Sequence, residues 1–121
     1  MKITIQLNPV TKKNSQQIIK IKNRYMIIPS KQYKEYEKKC GDHIPKIDKP
    51  INEKVNVQCL YFMKTKRRVD LNNLLEATTD VLVKYGILED DNSNIVVSHD
   101  GSRVLYDKEN PRTEIIITKS C

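Results

Sequence analysis

The sequence predicts a single small α+β domain over residues 1–121, with one mixed β-sheet and two main helices packed on it. Three observations lead there. Several short stretches alternate apolar and polar residues, the period of a half-buried strand. Two other stretches repeat apolar residues at helical spacing. Those helical stretches are separated by strands, in a chain of 121 residues that is too short for a repeated βαβ pattern.

Lys2 to Leu7 sets Ile3, Ile5 and Leu7 on one side and Lys2, Thr4 and Gln6 on the other, and Asn8-Pro9 ends the strand. Thr11 to Gln17 reads as a loop. Gln17 to Ile21 is a short strand, Lys22-Asn23-Arg24 a turn, and Tyr25 to Ile28 the return strand of a hairpin. Ser30 is placed to cap a helix over KQYKEYEKK, with Tyr33, Tyr36 and Cys40 towards the core and Gly41 as its stop. Residues 44–52 carry two prolines and form a loop. Val55, Val57, Cys59, Tyr61 and Met63 share one parity of the next strand. Asp70 opens the second helix. Leu71, Leu74, Leu75, Thr78, Val81, Leu82 and Tyr85 fall within one arc of about 120° at ~100° per residue. Asn72, Asn73, Glu76 and Asp80 lie opposite, and Val83 is the apolar residue on the wrong side. Gly86 ends the helix in a left-handed conformation. Ile95 to Val97 starts another strand, and Asp100-Gly101 marks a turn. Val104 to Tyr106 either pairs back or stays irregular. Thr113 to Thr118 is the last strand, with Ile115 and Ile117 opposite Glu114, Ile116 and Thr118.

Charge is unevenly spread. Residues 1–69 carry seventeen Lys/Arg against five Asp/Glu, whereas residues 70–100 carry seven carboxylates and one cation, Lys84. The overall balance is +7, with a pI near 9.3. A basic chain attracts a polyanion, and nucleic acid is the commonest. Carboxylates facing that polyanion repel it unless a divalent cation lies between. Aspartate oxygens suit Mg²⁺, which takes one or two carboxylates and completes its shell with phosphate oxygens. Basic flanks around an acidic island are therefore what a metal-dependent phosphodiesterase needs. The plainer reading is a helix-capping Asp70 and a solvated Asp90-Asp91 turn. Geometry sets a further condition. The helix from Asp70 to Tyr85 separates its ends by roughly 22 Å at ~1.5 Å per residue, so the chain beyond Gly86 must turn back to bring Asp91 towards Asp70.

Other classes find little support. No apolar run reaches the ~18 residues of a membrane span, and MKITIQLNPV lacks the apolar core of a signal peptide. Cys40, Cys59 and Cys121 are odd in number and widely spaced, which argues against disulfides and against zinc, and for reduced thiols in the cytoplasm. Cys40 and His43 have no second pair to complete a metal set. Asp80 reads as a solvated helix residue or one that makes a local hydrogen bond, His99 as an exposed strand end, and the tyrosines as mostly core.

The segment DLNNLLEATTDVLVKYGILEDDNSNI resembles the core motif of the RusA family of Holliday-junction resolvases. That motif is an Asp-x-Asp-Asn, a helix with an Asp near its middle, then Gly and an Asp-Asp turn before a strand. The preceding KTKRRV is similar to the family's basic lead-in. YDKENPRTEIII and NPVTKKNS resemble its tail and early basic loop. The resemblance implies a homodimer that cuts branched DNA, the four-way junction, with Mg²⁺ (or Mn²⁺ in its place) and no organic cofactor, in a bacterial or phage-infected cytoplasm. It implies that Asp70 and Asp91 are metal-binding catalytic carboxylates. The middle position of the family's triad is Asn72 here, which keeps a carbonyl oxygen and loses a charge. A position where the family often carries Lys is Glu76, an acid able to stand in for the missing one. Asp90 is a further candidate ligand. Lys12, Lys13, Asn14, Lys64, Lys66, Arg67, Arg68 and Arg103 would hold the DNA backbone. The two departures keep open a second reading, a branched-DNA binding protein with weakened or lost catalysis.

Overall fold

The computed structural model describes residues 1–12, 16–29 and 31–120, and of residues 16–19 and 26–29 the backbone path alone. Strand β4 (Val55–Met63) lies at the centre of the main sheet. On one side it pairs antiparallel with β7 (Arg112–Lys119), which pairs antiparallel with β1 (Lys2–Ile5). On the other side it pairs parallel with β5 (Val96–Ser98) near its start and with β6 (Arg103–Tyr106) near its end. Helix α1 (Lys31–Cys40) and helix α2 (Leu71–Lys84) complete this unit, an α+β domain with a mixed sheet. Strands β2 (Gln16–Ile21) and β3 (Arg24–Pro29) form a separate two-stranded sheet.

Alternation decides which face is covered. Ile3, Ile5, Val55, Val57, Cys59, Tyr61, Ile115 and Ile117 all point to the same face and are buried. Tyr33, Tyr36 and Cys40 of α1 join that cluster, as do Leu74, Leu75, Ala77, Val81 and Leu82 of α2. Both helices thus lie on one face, as the apolar stripes require. The helix–sheet contact includes one buried polar pair: the Tyr61 hydroxyl and Thr78 Oγ1 are 2.7 Å apart. Burial pushes the Tyr61 hydroxyl well above the usual tyrosine range, so it stays protonated.

The structure departs from the sequence reading in several places, each with a local cause. β1 ends at Ile5 because the Leu7 N–H turns back to the Ile5 carbonyl at 2.9 Å. Gly41 does stop α1, which ends at Cys40, and the chain continues through a 3-10 turn, Gly41–His43; glycine is needed here for a further reason. That reason is packing, since a Cβ there would lie 2.7 Å from Cε1 of Tyr85. Gly86 does adopt the left-handed conformation expected, at φ +78°. Val83 is partly buried against the core rather than solvated. The stretch after Gly101 does not pair back on β5: it forms β6 and continues along β4 in line with β5. His99 is half-buried, with Nδ1 2.8 Å from the Val57 carbonyl oxygen. Cys40 and Cys59 are buried free thiols, and burial pushes them up to about 11 and about 12, which leaves both unreactive at neutral pH. Ser30 and Cys121 lie outside the described residues.

The Tyr61–Thr78 pair ties α2 to β4, and its removal should register. Tyr61→Phe is expected to lower unfolding free energy by about 1–2 kcal/mol, because it leaves the Thr78 hydroxyl in the core without its partner. Thr78→Val added to it should cost less than the two single changes summed. Urea unfolding of the three variants measures this, and a strictly additive pair would show that the two hydroxyls act separately.

Candidate active site

The last residue of β4, Met63, hands the chain to an exposed basic run, Lys64 to Arg68, that leads to the start of α2. The Lys64 N–H donates to Asn8 Oδ1 at 3.0 Å, which pins this crossing to the turn after β1. Between the two segments is an open cleft of about 500 Å³, lined by Asn8, Thr11, Gln32, Thr65, Arg67 and Arg68 among others. Arg67 and Arg68 make it a positive groove. Lys66 is directed elsewhere, with Nζ 5.1 Å from the centre of the Tyr106 ring on β6. Arg103, also on β6, is exposed opposite Leu60 of β4.

Asp70 follows directly, next to Val69 on the cleft wall. It occupies the N-cap of α2 in extended conformation (φ −87°, ψ 119°), and its carbonyl accepts the Leu74 N–H. Its carboxylate makes no capping hydrogen bond. An N-cap aspartate normally spends its side chain on the first free N–H groups of the helix. This exposed carboxylate is not spent that way. Asn72 and Glu76, four residues apart and so neighbours on the helix surface, are exposed on α2, while Leu74, Leu75 and Thr78 bury the opposite side.

The Asp90-Asp91 turn is anchored at the far end of α2. After Gly86, the N–H groups of Ile87 and Leu88 both reach the Leu82 carbonyl, and Leu88 bridges Ile51. Asp90 then folds onto its own backbone: Oδ1 accepts the Asp91 N–H at 2.7 Å and Oδ2 accepts Asn92 Nδ2 at 3.2 Å. Donation from the Asp91 N–H, above all, holds the Asp90 carboxyl below the usual carboxylate range. The Asp91 carboxyl is held above it, chiefly through its hydrogen bond to Asp90, then by partial desolvation and by the charges of Asp90 and Asp80.

Asp80 is the residue that sequence reasoning missed. Expected to be solvated or bonded locally, it receives Lys12 Nζ on Oδ2 at 2.6 Å, an ion pair between residues 68 positions apart. The same Nζ lies 5.7 Å from the centre of the Tyr33 ring. No local pattern announces this pairing; its nearest signal is that Lys12 stands in a stretch without acids.

Asp80 and Asp90 both act on the Asp91 carboxyl, whereas Asp70 lies ten residues before Asp80, about 15 Å along the helix at ~1.5 Å per residue. Asn72 and Glu76 fall between. Among the described residues, no three His, Cys, Asp or Glu side chains converge as a ready-made metal set. The donors nevertheless fit a hard divalent cation in kind, being exposed carboxylate and amide oxygens, and Mg²⁺ needs only one or two carboxylates when phosphate oxygens complete its shell. Lys13 and Asn14 lie outside the described residues.

A basic cleft whose lining ends at Val69, one residue before an exposed carboxylate that caps nothing, suits a polyanionic partner. A family model described as Endodeoxyribonuclease RusA matches residues 6–118, and the chain belongs to that family. It is therefore placed among DNA-cleaving hydrolases that act on Holliday junctions in recombination and generally depend on divalent metals. Among curated proteins, no individual relative matches it. Among the described residues, no helix is long and apolar enough to cross a membrane.

The Asp90–Asp91 contact has a consequence for pH. Since the Asp91 carboxyl is held above the usual carboxylate range, it should take up its proton at a higher pH than an ordinary aspartate as pH falls. Asp90→Asn removes the neighbouring charge and should move the Asp91 pKa down. Carbon-detected NMR titration of the Asp91 carboxyl in both proteins reads the shift; an unchanged Asp91 would show that Asp90 is not its cause.

Proposed function

We propose that this chain is a Mg²⁺-dependent endonuclease that resolves four-way DNA junctions by paired nicks in opposed strands, acting as a homodimer in a bacterial or phage-infected cytoplasm. The observation that carries this reading is the Asp70 carboxylate, free of capping duty at the edge of a cleft lined by Arg67 and Arg68. Membership of the RusA family supports it.

In this reading the chain's own groups divide the work. Arg67 and Arg68 hold the DNA backbone in the cleft, by charge and by paired N–H donors matched to phosphate. Lys64, Lys66, Arg103 and the early loop with Lys12, Lys13 and Asn14 extend the positive path on either side. Asp70 and Asp91 are the metal-binding carboxylates, with Asn72, Glu76 and Asp90 as further oxygen donors. When bound, Mg²⁺ (or Mn²⁺) lowers the pKa of a water and neutralises charge developing on the scissile phosphate. Asp90 raises the proton affinity of Asp91, and a cation held there would need the ionised form of that carboxylate. A four-way junction has approximate two-fold symmetry, so two copies related by a two-fold axis present one site to each of two opposed strands.

The test is cleavage of a labelled four-way junction in Mg²⁺ by the wild type, Asp70→Asn and Asp91→Asn. Paired nicks are expected from the wild type, falling by roughly 100-fold or more in each variant, as for loss of a metal ligand. Asn72 and Glu76, which reduce or redistribute the acidic charge at the site, favour the second reading of a branched-DNA binding protein. Tight junction binding with no cutting in Mg²⁺ or Mn²⁺ would establish that reading instead.

A further inference from the structure

The β2–β3 hairpin contributes nothing described to the buried core. Its strands pair with each other in a separate two-stranded sheet. An isolated ribbon of this kind is marginally stable in water, and this one carries its largest described side chains outward. Tyr25 is 74% exposed and Ile21 48% exposed. The turn between them, Lys22-Asn23, has both φ angles positive, +48° and +65°. That is the two-residue turn whose twist matches paired strands, so pairing continues to Ile21 and Arg24 beside the turn.

Register then assigns the faces. Lys20 is opposite Tyr25, and Ile21 is opposite Arg24. One face of the tip therefore shows the Tyr25 ring with Lys20 Nζ 5.8 Å from its centre. The other shows Ile21 beside Arg24. The charge around them has one sign: residues 1–34 contain eight Lys/Arg and no Asp or Glu. A tip with a flat ring on one face, a branched aliphatic on the other and cations around both complements a nucleobase between phosphates. A closed duplex hides base faces in its stack. They are reachable where stacking is interrupted, and apolar side chains enter DNA at such opened steps.

We propose that the hairpin tip is the branch-recognising wedge of this protein: Tyr25 stacks on a nucleobase exposed at the crossover, Ile21 fills the opened step from the other face, and Lys20, Lys22 and Arg24 hold the flanking phosphates. This rests on the branched-DNA reading above and names the element that distinguishes a branch from a linear arm.

The test uses the full chain in Ca²⁺, to hold cutting back, and a four-way junction with 2-aminopurine at the crossover, beside a linear duplex of the same sequence. The wild type should alter the 2-aminopurine fluorescence. Tyr25→Ser should abolish that change and weaken junction binding about tenfold, the scale of one lost base–aromatic stack, with duplex binding intact. Tyr25→Phe should restore both. Equal weakening on junction and duplex, or no change on either, would overturn the wedge. So would an altered oligomeric state of Tyr25→Ser by sedimentation, which would make the tip a contact between proteins. A wild type that binds junction and duplex alike would overturn the branched-DNA reading itself, whereas a wild type that prefers the junction and a Tyr25→Ser that prefers it equally would overturn the wedge alone.

Discussion

The rest of the structure depends on the seating of α2 on β4. Leu74, Leu75, Val81 and Leu82 are buried in the same cluster as Val57, Cys59 and Tyr61, and the Tyr61–Thr78 hydroxyl pair fixes the two elements at one point. A helix seated by its apolar stripe has no freedom to rotate without exposing that stripe. Its polar residues are then committed too. Asp70 follows Val69 of the Arg67–Arg68 cleft, Asn72 and Glu76 come next on the exposed side, and Asp80 is turned to meet Lys12. The turn after Gly86, tied back to Leu82 and Ile51, fixes Asp90 and Asp91 at the other end.

Electrostatics follow from that frame. The basic run is delivered to α2 by β4, so cations and carboxylates adjoin in sequence without neutralising one another: Arg67 and Arg68 face the cleft, and Lys66 lies over Tyr106. One acid of the island is partnered by a distant cation, Asp80 by Lys12, and this pair joins the early basic segment to α2. The ion pair is only part-buried, with its side chains 34% and 29% exposed, so its direct contribution to stability is small. What it supplies is position. Arg112 plays a similar part on the open face of the sheet, where it lies 3.7 Å from the centre of the Phe62 ring and pairs with Asp107 and Glu114.

Much of this was legible in the residues, and the pattern of success has a physical basis. β4 and α2 were readable because each buries one face along most of its length, so a single period runs through it. The same holds for Ile115 and Ile117 on β7. Gly86 was readable because a left-handed helix end is a local requirement. The failures concern partners far along the chain. Asp80 is oriented by Lys12, and Gly41, read correctly as a helix stop, is also packed against Tyr85. β6 lies where it does because β5 uses only the first part of β4 and leaves the rest of that edge to be paired. For the site, the sequence indicated the carboxylates and the basic lead-in. It left open how far apart they stand, and the fold separates Asp70 from the Asp80–Asp91 end by most of a helix.

That separation makes the proposed cation the central point: the proposed function needs cation-binding carboxylates beyond both ends of α2. Mn²⁺-induced broadening of backbone amide signals, recorded on the free chain, tests this directly. The account expects residues 70–73 and residues 89–92 to broaden at low Mn²⁺ while the amides of β7 stay sharp. Broadening confined to the Asp90–Asp91 turn would contradict it and leave Asp70 without a cation-binding role, as would broadening at neither end.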